Sequence, residues 1–307
     1  MTAIDIILPY YNGSKYIKEQ LESIEKNDTE GINLRLIVIN DASKSDEAEY
    51  LKSILPANAL YLENEKNLGV IKTVERGLEI STAPYIMLCD QDDVWLPNKI
   101  KHSLNRLKDI EGNDPTLVYT DLVIVDKDLN TIHPSMHAYY KHDHGSVYPA
   151  ILFHNIVTGC TVIFNRKLLE FALPFPEKVT MHDHWIAICA VFAGKAELLD
   201  EATILYRQHG SNQVGVPEDN SLNKLINFRK TVPKFRIHTE LKTLMIKDLV
   251  MKLELSGFVE QALFLREAIK AIETKNFFFL LNKGLIRGNL LRTFGVITLL
   301  TLTTKKI

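Results

Sequence analysis

The chain has 307 residues, 46% hydrophobic and 24% charged, with a formal net charge of −2, so it is long enough for one large core with or without a smaller appendage and too apolar to be disordered. Its three cysteines, Cys89, Cys160 and Cys189, lie in apolar surroundings without CxxC spacing, which excludes a disulfide framework and a zinc site and marks them as reduced core thiols. The opening "MTAIDIILPYYNG" has no basic leader and Asp5 interrupts its apolar run, so no secretory signal is expected and the location expected is cytoplasmic.

In chain order, "AIDIILP" reads as a strand, and Ser14 can cap a helix whose Ile17, Leu21 and Ile24 follow helical spacing. "LRLIVIND" is a second strand, followed by a polar helix over about 43–55. "ALYLEN", "GVIKTVERGLEIS" and "YIMLCD" then read as strand, helix and strand. Continuous apolar strands separated by helices predict an α/β fold with a doubly wound, mostly parallel sheet. Ligands of such sheets bind beyond the carboxyl ends of the strands, and here those ends carry "PYYNG", "NDAS", "ENEKNLG" and "DQDDVW". A helix at about 97–110, the strand-like "TLVYTDLVIVD", a loop rich in His and Tyr over 133–148, the strand-like "TGCTVIFN", a helix starting at "HDHW" and the segment ending in "YRQHGSNQVG" complete residues 1–220. Residues 221–307 form a second, helical and basic region.

Three carboxylates delivered to one point, Asp90, Asp92 and Asp93, repel one another unless a cation sits among them. A hard divalent cation, Mn²⁺ or Mg²⁺, prefers such oxygen donors and is commonly shared with substrate phosphates. An acidic helix cap would need only one Asp. The metal is therefore expected on Asp90 and Asp92, with His209 as a further ligand. Asp41 can accept from a nucleobase N–H while Pro9 and Tyr11 pack beside the base, or it can simply begin a turn. Neither G-x-G-x-x-G nor G-x-x-x-x-G-K occurs at the expected places, which removes support for dinucleotide oxidoreduction and P-loop phosphoryl transfer. A phosphate ligand must then be neutralised by metal and side chains, and Arg207 and His209 of "YRQHGSN" can close over a diphosphate or lie in a solvated loop. In "MHDHW", Asp183 can be a general base, a helix cap, or, with His182 and His184, a metal ligand in a metal-dependent phosphohydrolase.

Charge is divided unevenly. Residues 1–220 hold 20 basic against 32 acidic groups, and residues 221–307 hold 16 against 6. The tail also carries "NFFFLLNKGLIRGNLLRTFGVITLLTLTT", whose apolar run is cut by Lys283, Arg287 and Arg292 and is too short for a span of ~20 residues. It reads either as an interfacial helix on an anionic membrane, preferred to nucleic acid as partner, or as a helical hairpin packed on the body.

The ordered set "ILPYYNGSKYI", "VINDASKSDE", "NEKNLGVIKT", "CDQDDVW", "TGCTVIFN", "MHDHW" and "YRQHGSN" resembles the family 2 glycosyltransferases of GT-A fold, and most closely the bacterial branch carrying DQDDVW and HDHW, many of whose members are rhamnosyltransferases of surface polysaccharide assembly. The resemblance covers about residues 1–215. It implies inverting transfer from a nucleotide-sugar, such as dTDP-rhamnose or a UDP-hexose, to a glycan or lipid-linked acceptor at the inner membrane face. By position, Pro9, Tyr11, Asp41, Asn67, Gly69 and Gln91 would hold the nucleotide, Asp90 and Asp92 the metal on the diphosphate, and Asp183 would be the base. His182 stands where the family has Glu, and Thr73-Val74-Glu75 replaces a frequent Ala-Arg-Asn.

Overall fold

A computed structural model describes residues 1–140, 147–209 and 228–286 of the chain. The first half is β1 (Thr2–Tyr10), α1 (Ile17–Glu25), β2 (Ile32–Asn40), α2 (Ser45–Ile54), β3 (Leu60–Glu63), α3 (Val70–Ile80) and β4 (Tyr85–Leu88). Then come β5 (Val94–Trp95), α4 (Lys99–Ile110), β6 (Thr116–Val125), β7 (Thr131–His133), α5 (Met136–Tyr140), β8 (Val162–Asn165), α6 (Arg166–Ala172), α7 (His182–Ala193) and β9 (Lys195–Arg207). Three helices follow: α8 (Phe228–Leu255), α9 (Val259–Glu273) and α10 (Phe277–Asn282).

The strands form one sheet in the order β3-β2-β1-β4-β8-β6-β9-β5, with β7 against β6. β3, β2, β1 and β4 are mutually parallel; β8 runs against them, β6 and β9 rejoin their direction, and β5 and β7 oppose it. The sheet is therefore mixed but mostly parallel. The chain leaves β1 toward β2 and β3 on one side and returns to β4 on the other, which puts a switch point between the ends of β1 and β4.

Strand periodicity of two divides the core into two layers. Ile4, Ile6 and Leu8 of β1 join α1 and α4 on one face, whereas Ile7 joins α3, α7 and the C-terminal helices on the other. Helix α3 lies so close to the sheet that a Cβ at Gly77 would stand 2.5 Å from Ile7 and 2.6 Å from Ile39. Asp5, the residue that breaks the apolar opening, is buried because Arg35, the Ser81 hydroxyl and the Thr82 and Ala83 N–H groups all donate to it.

Two local expectations change. Ser14 does not cap α1: its hydroxyl donates to Glu47 at 2.8 Å, which ties the β1 loop to the start of α2. "TGCTVIFN" is a strand only from Val162; Gly159–Thr161 is a single tight turn. The two-residue strand β5, paired with β9, is marked by no periodicity in the sequence. The C-terminal helices pack on the body: Met245, Ile246, Leu249, Val250 and Leu253 share a core layer with Trp185 and Phe192. Lys242 donates to the Phe153 carbonyl at 2.6 Å and Lys252 to the Leu173 carbonyl at 2.8 Å, so one buried and one half-buried lysine fasten α8 to the core. Among the described residues no helix is long and apolar enough to cross a membrane; residues 287–307 of the apolar tail lie outside them.

Candidate active site

The rim of the crevice is built from loops at the ends of β1, β2 and β3. After β1, Tyr11 is exposed and Pro9 half-buried. Gln91 grips Tyr11 at both ends, accepting from its N–H at 2.9 Å and donating to its carbonyl at 3.2 Å. Gly13 leaves room for that grip, since a Cβ there would sit 2.5 Å from the Gln91 amide. Asp41, 4% exposed after β2, accepts from Asn64 Nδ2 at 2.7 Å, Leu68 N–H at 2.8 Å and Gly69 N–H at 2.9 Å. Asn67 donates to the Asp41 carbonyl at 3.3 Å. With three bonds made inside the protein, the carboxylate has about one lone pair left and serves first to shape the 67–69 turn. Gly69 adopts φ 80° there, a left-handed conformation natural to glycine. Glu75, in the segment that departs from the family pattern, accepts from Phe175 N–H at 2.7 Å and thereby braces α3 against the loop leading to α7.

Asp90, Asp92 and Asp93 follow β4. One carboxylate oxygen each from Asp90 and Asp93 lies within 4.8 Å of the Cys160 Sγ and of the other. Burial, then the charges of Asp92 and Asp183, push Asp90 up to about 7. Burial, then the charges of Asp92 and Asp90, raise Asp93 well above the usual carboxylate range. Crowded carboxylates of this kind suit a hard cation, which would relieve the repulsion. Among the described residues, the carboxylate oxygens that come together are those of Asp90 and Asp93, a donor type that fits such an ion, whereas the Cys160 thiol, held protonated by burial, is a poor ligand for it. His209 Nε2 donates to Asp92 Oδ2 at 2.8 Å and its ring stacks on Tyr16 at 4.8 Å, which brings it to the same cluster.

Asp183 faces this cluster. It sits in the first turn of α7, whose cap is Met181, so the capping alternative falls away. Its Oδ1 accepts from Asn155 Nδ2 at 3.1 Å and from the His184 N–H, and its Oδ2 accepts from Gly159 N–H at 3.1 Å. Burial pushes its pKa up to about 6, with those three donors pulling the other way. His182 is buried and neutral, its pKa lowered to about 4 by desolvation. His184 turns into the core, donating through Nε2 to the Ile151 carbonyl at 2.6 Å. Among the described residues His182, Asp183 and His184 do not form a three-ligand metal cluster, and the phosphohydrolase alternative gains no support.

The structure places Arg207 differently from its sequence expectation. It is 2% exposed, donates to the carbonyls of Asp92 at 2.8 Å and Lys127 at 2.7 Å and to Glu19, and lies over the Tyr16 ring. Its guanidinium is thus committed to bracing the DQDD loop rather than free to close over a diphosphate. Sequence reasoning also missed Asn155 and Gly159. Gly159 carries a readable sign in its position just before Cys160, but Asn155 lies in an irregular stretch with no periodicity to mark it.

The sequence matches the family model described as glycosyl transferase family 2 over residues 5–171, more than half of the chain. The chain belongs to glycosyl transferase family 2. It is 29% identical over 185 residues to an uncharacterized glycosyltransferase of Rickettsia prowazekii, covering 59% of this chain and 56% of that protein. An uncharacterized glycosyltransferase of Methanocaldococcus jannaschii is 24% identical over 211 residues, covering 66% and 70%. The chain thus spans little more than half the length of the first of these family 2 relatives. Among solved structures, S. aureus TarS 1-349 in complex with UDP-GlcNAc matches with TM-score 0.54 at 17% identity, over 80% of this chain and 66% of that one. The mannosyltransferase PcManGT of Pyrobaculum calidifontis, in complex with GDP-Man and Mn²⁺, matches with TM-score 0.50 at 16% identity, over 98% and 90%. These likenesses establish the GT-A fold for this family 2 chain.

Proposed function

We propose that the protein is an inverting, metal-dependent glycosyltransferase that moves a sugar from a nucleotide-sugar to an acceptor hydroxyl. One observation carries this reading: the turn Gly159–Thr161 joins two acidic sites. Its Gly159 N–H holds Asp183, and its Cys160 Sγ lies within 4.8 Å of Asp90 and Asp93 oxygens. A donor diphosphate on one side of that turn and an acceptor on the other would meet at the crevice.

Asp183 takes the acceptor proton as the acceptor oxygen attacks the anomeric carbon, and the bond from that carbon to the diphosphate oxygen breaks on the opposite face. A pKa of about 6 leaves Asp183 mostly ionised at neutral pH yet basic enough to accept a proton. Asp90 and Asp92, with His209 alongside, would hold Mn²⁺ or Mg²⁺, which would supply charge neutralisation for the leaving diphosphate. Pro9, Tyr11, Gln91, Asp41, Asn67 and Gly69 frame the nucleotide pocket, and Arg207 holds the metal-bearing loop. The nucleotide-sugars bound by TarS and PcManGT, and the Mn²⁺ of the latter, support this donor class and cofactor.

The finer reading is a hexosyl- or rhamnosyltransferase of bacterial surface polysaccharide synthesis, using dTDP-rhamnose or a UDP-hexose on a glycan or lipid-linked acceptor. Its place is cytoplasmic and peripheral to the inner membrane, with residues 221–307 as the basic contact region. Thermal shift against UDP-, GDP- and dTDP-sugars with Mn²⁺ tests it. A rise in Tm confined to one donor, followed by transfer to glycan primers, is the expected result. Binding of none of them, with release of phosphate from phosphomonoesters, would overturn it.

A further inference from the structure

The loop after β1 is held from two sides. Gln91 grips Tyr11 from the acidic loop, and the segment after β2 holds residues 10–14 from the other side through contacts that the transfer scheme does not use. Glu47, in the first turn of α2, accepts from the Tyr10 hydroxyl and the Ser14 N–H through Oε2, each at 2.9 Å, and from the Ser14 hydroxyl through Oε1 at 2.8 Å. Between these two residues Asn12 pairs with the loop after β2 in both directions. Its N–H donates to the Ser43 hydroxyl at 3.0 Å, and its Oδ1 accepts from the Lys44 N–H at 3.0 Å. Ser43 is itself fixed, its N–H donating to Asn40 Oδ1 at 3.1 Å. The Asp41 N–H, one residue before Ala42, donates to the Tyr10 carbonyl at 2.8 Å.

The backbone is bent to make these contacts. Asn12 has φ 46° and Ala42 φ 56°, left-handed conformations that asparagine tolerates and alanine adopts only at a steric cost. Such strain persists where the surrounding structure over-determines it, and it clusters at ligand sites. Here the two strained residues flank the joined loops that carry Tyr11 and Asp41. Behind Glu47 lies a cavity of about 340 Å³ lined by Ser14, Asp46, Glu47 and Tyr50, so on this side hydrogen bonds rather than packing hold the loop.

We propose that Glu47 and Asn12 are positioning residues for the donor nucleotide, locking the 10–14 loop to the 41–44 loop so that Tyr11 and Asp41 keep a fixed separation. The proposal rests on the nucleotide reading of the crevice and deepens it, because neither residue needs to touch the ligand. Loops that are already ordered bind without the entropic cost of ordering them, so the lock acts on affinity and leaves the chemical step alone.

The test uses the full chain and whichever of UDP, GDP and dTDP the wild type binds in the presence of Mn²⁺. Glu47→Ala should weaken that binding about tenfold while kcat at saturating donor stays within about threefold. Glu47→Gln should recover most of the affinity, since its amide oxygen can accept from Tyr10 and the Ser14 N–H while its NH₂ donates to the Ser14 hydroxyl. Asn12→Gly should weaken binding roughly threefold to tenfold with Tm little changed, because glycine takes the left-handed backbone freely but offers Lys44 no acceptor. Unchanged affinity in both Glu47→Ala and Asn12→Gly, or kcat falling at fixed affinity, would overturn the proposal. If Glu47→Ala fails to fold, Asn12→Gly decides it. If the wild type binds none of the three diphosphates, the nucleotide reading fails, and amide hydrogen exchange still decides the lock. The Ser14 N–H should then exchange at least about tenfold faster in Glu47→Ala, and the Lys44 N–H likewise in Asn12→Gly; rates equal to wild type would show that no lock exists.

Discussion

Replacing Asp183 with Asn removes the base while keeping its shape. The carboxylate accepts from three donors, Asn155 Nδ2, Gly159 N–H and His184 N–H. An amide oxygen can keep the two donors on Oδ1, but its NH₂ would then face the Gly159 N–H, at a cost of about 1–3 kcal/mol. Against this, the wild-type residue carries a penalty of its own. Its pKa rises from 3.8 to about 6 on folding, so the folded protein binds this proton more tightly than the unfolded chain. Stability from this group is therefore full at low pH and falls as pH rises between those two values, reaching a loss of about 3 kcal/mol above them. The variant escapes that loss, so its Tm relative to wild type should improve from pH 4.5 to 7.5, and it should be folded at neutral pH. The catalytic loss should be about 10²- to 10⁴-fold in kcat, the usual worth of a positioned base. Assays of transfer beside titration of nucleoside diphosphate with Mn²⁺ separate the effects. A kcat within tenfold of wild type, or binding lost in proportion to rate, would refute the role of base.

Gly159→Ala would bring a Cβ to 3.0 Å from His182 Nε2 and 3.5 Å from the Asp183 Cβ, so kcat should fall at least tenfold with nucleotide affinity little changed. EDTA should abolish transfer and Mn²⁺ or Mg²⁺ should restore it; transfer in the presence of chelator would remove the ion from the scheme. Asp41→Ala orphans the Leu68 and Gly69 N–H groups and should raise the donor KM by roughly tenfold while lowering Tm, which kinetics and melting would read together. Removing residues 277–307 should reduce binding to anionic liposomes, and unchanged partitioning would leave that region a packing role alone.

Much of the crevice was legible because strand ends in a parallel sheet must converge, and apolar runs such as Tyr85–Leu88 show where strands end. The acidic cluster and Asp183 could be recognised from residue type and order. What the order could not reveal was burial. Arg207 resembles a free phosphate ligand in a polar stretch, yet β9 carries it inward, where Glu19 and Tyr16 claim its guanidinium. Lys99 is likewise buried, its Nζ against the Trp95 ring, and no local pattern on α4 marks it as such. Asn155, which orients Asp183 from 28 residues away in sequence, depends on a tertiary contact that no local pattern encodes.

Crystals grown with Mn²⁺ and UDP, measured at the manganese absorption edge, offer the most direct examination of the proposed chemistry. The expected result is an anomalous peak bonded to Asp90 or Asp92 and to the diphosphate, with Asp183 across the crevice from it. A peak lying away from these carboxylates, or a diphosphate bound without any ion, would contradict it.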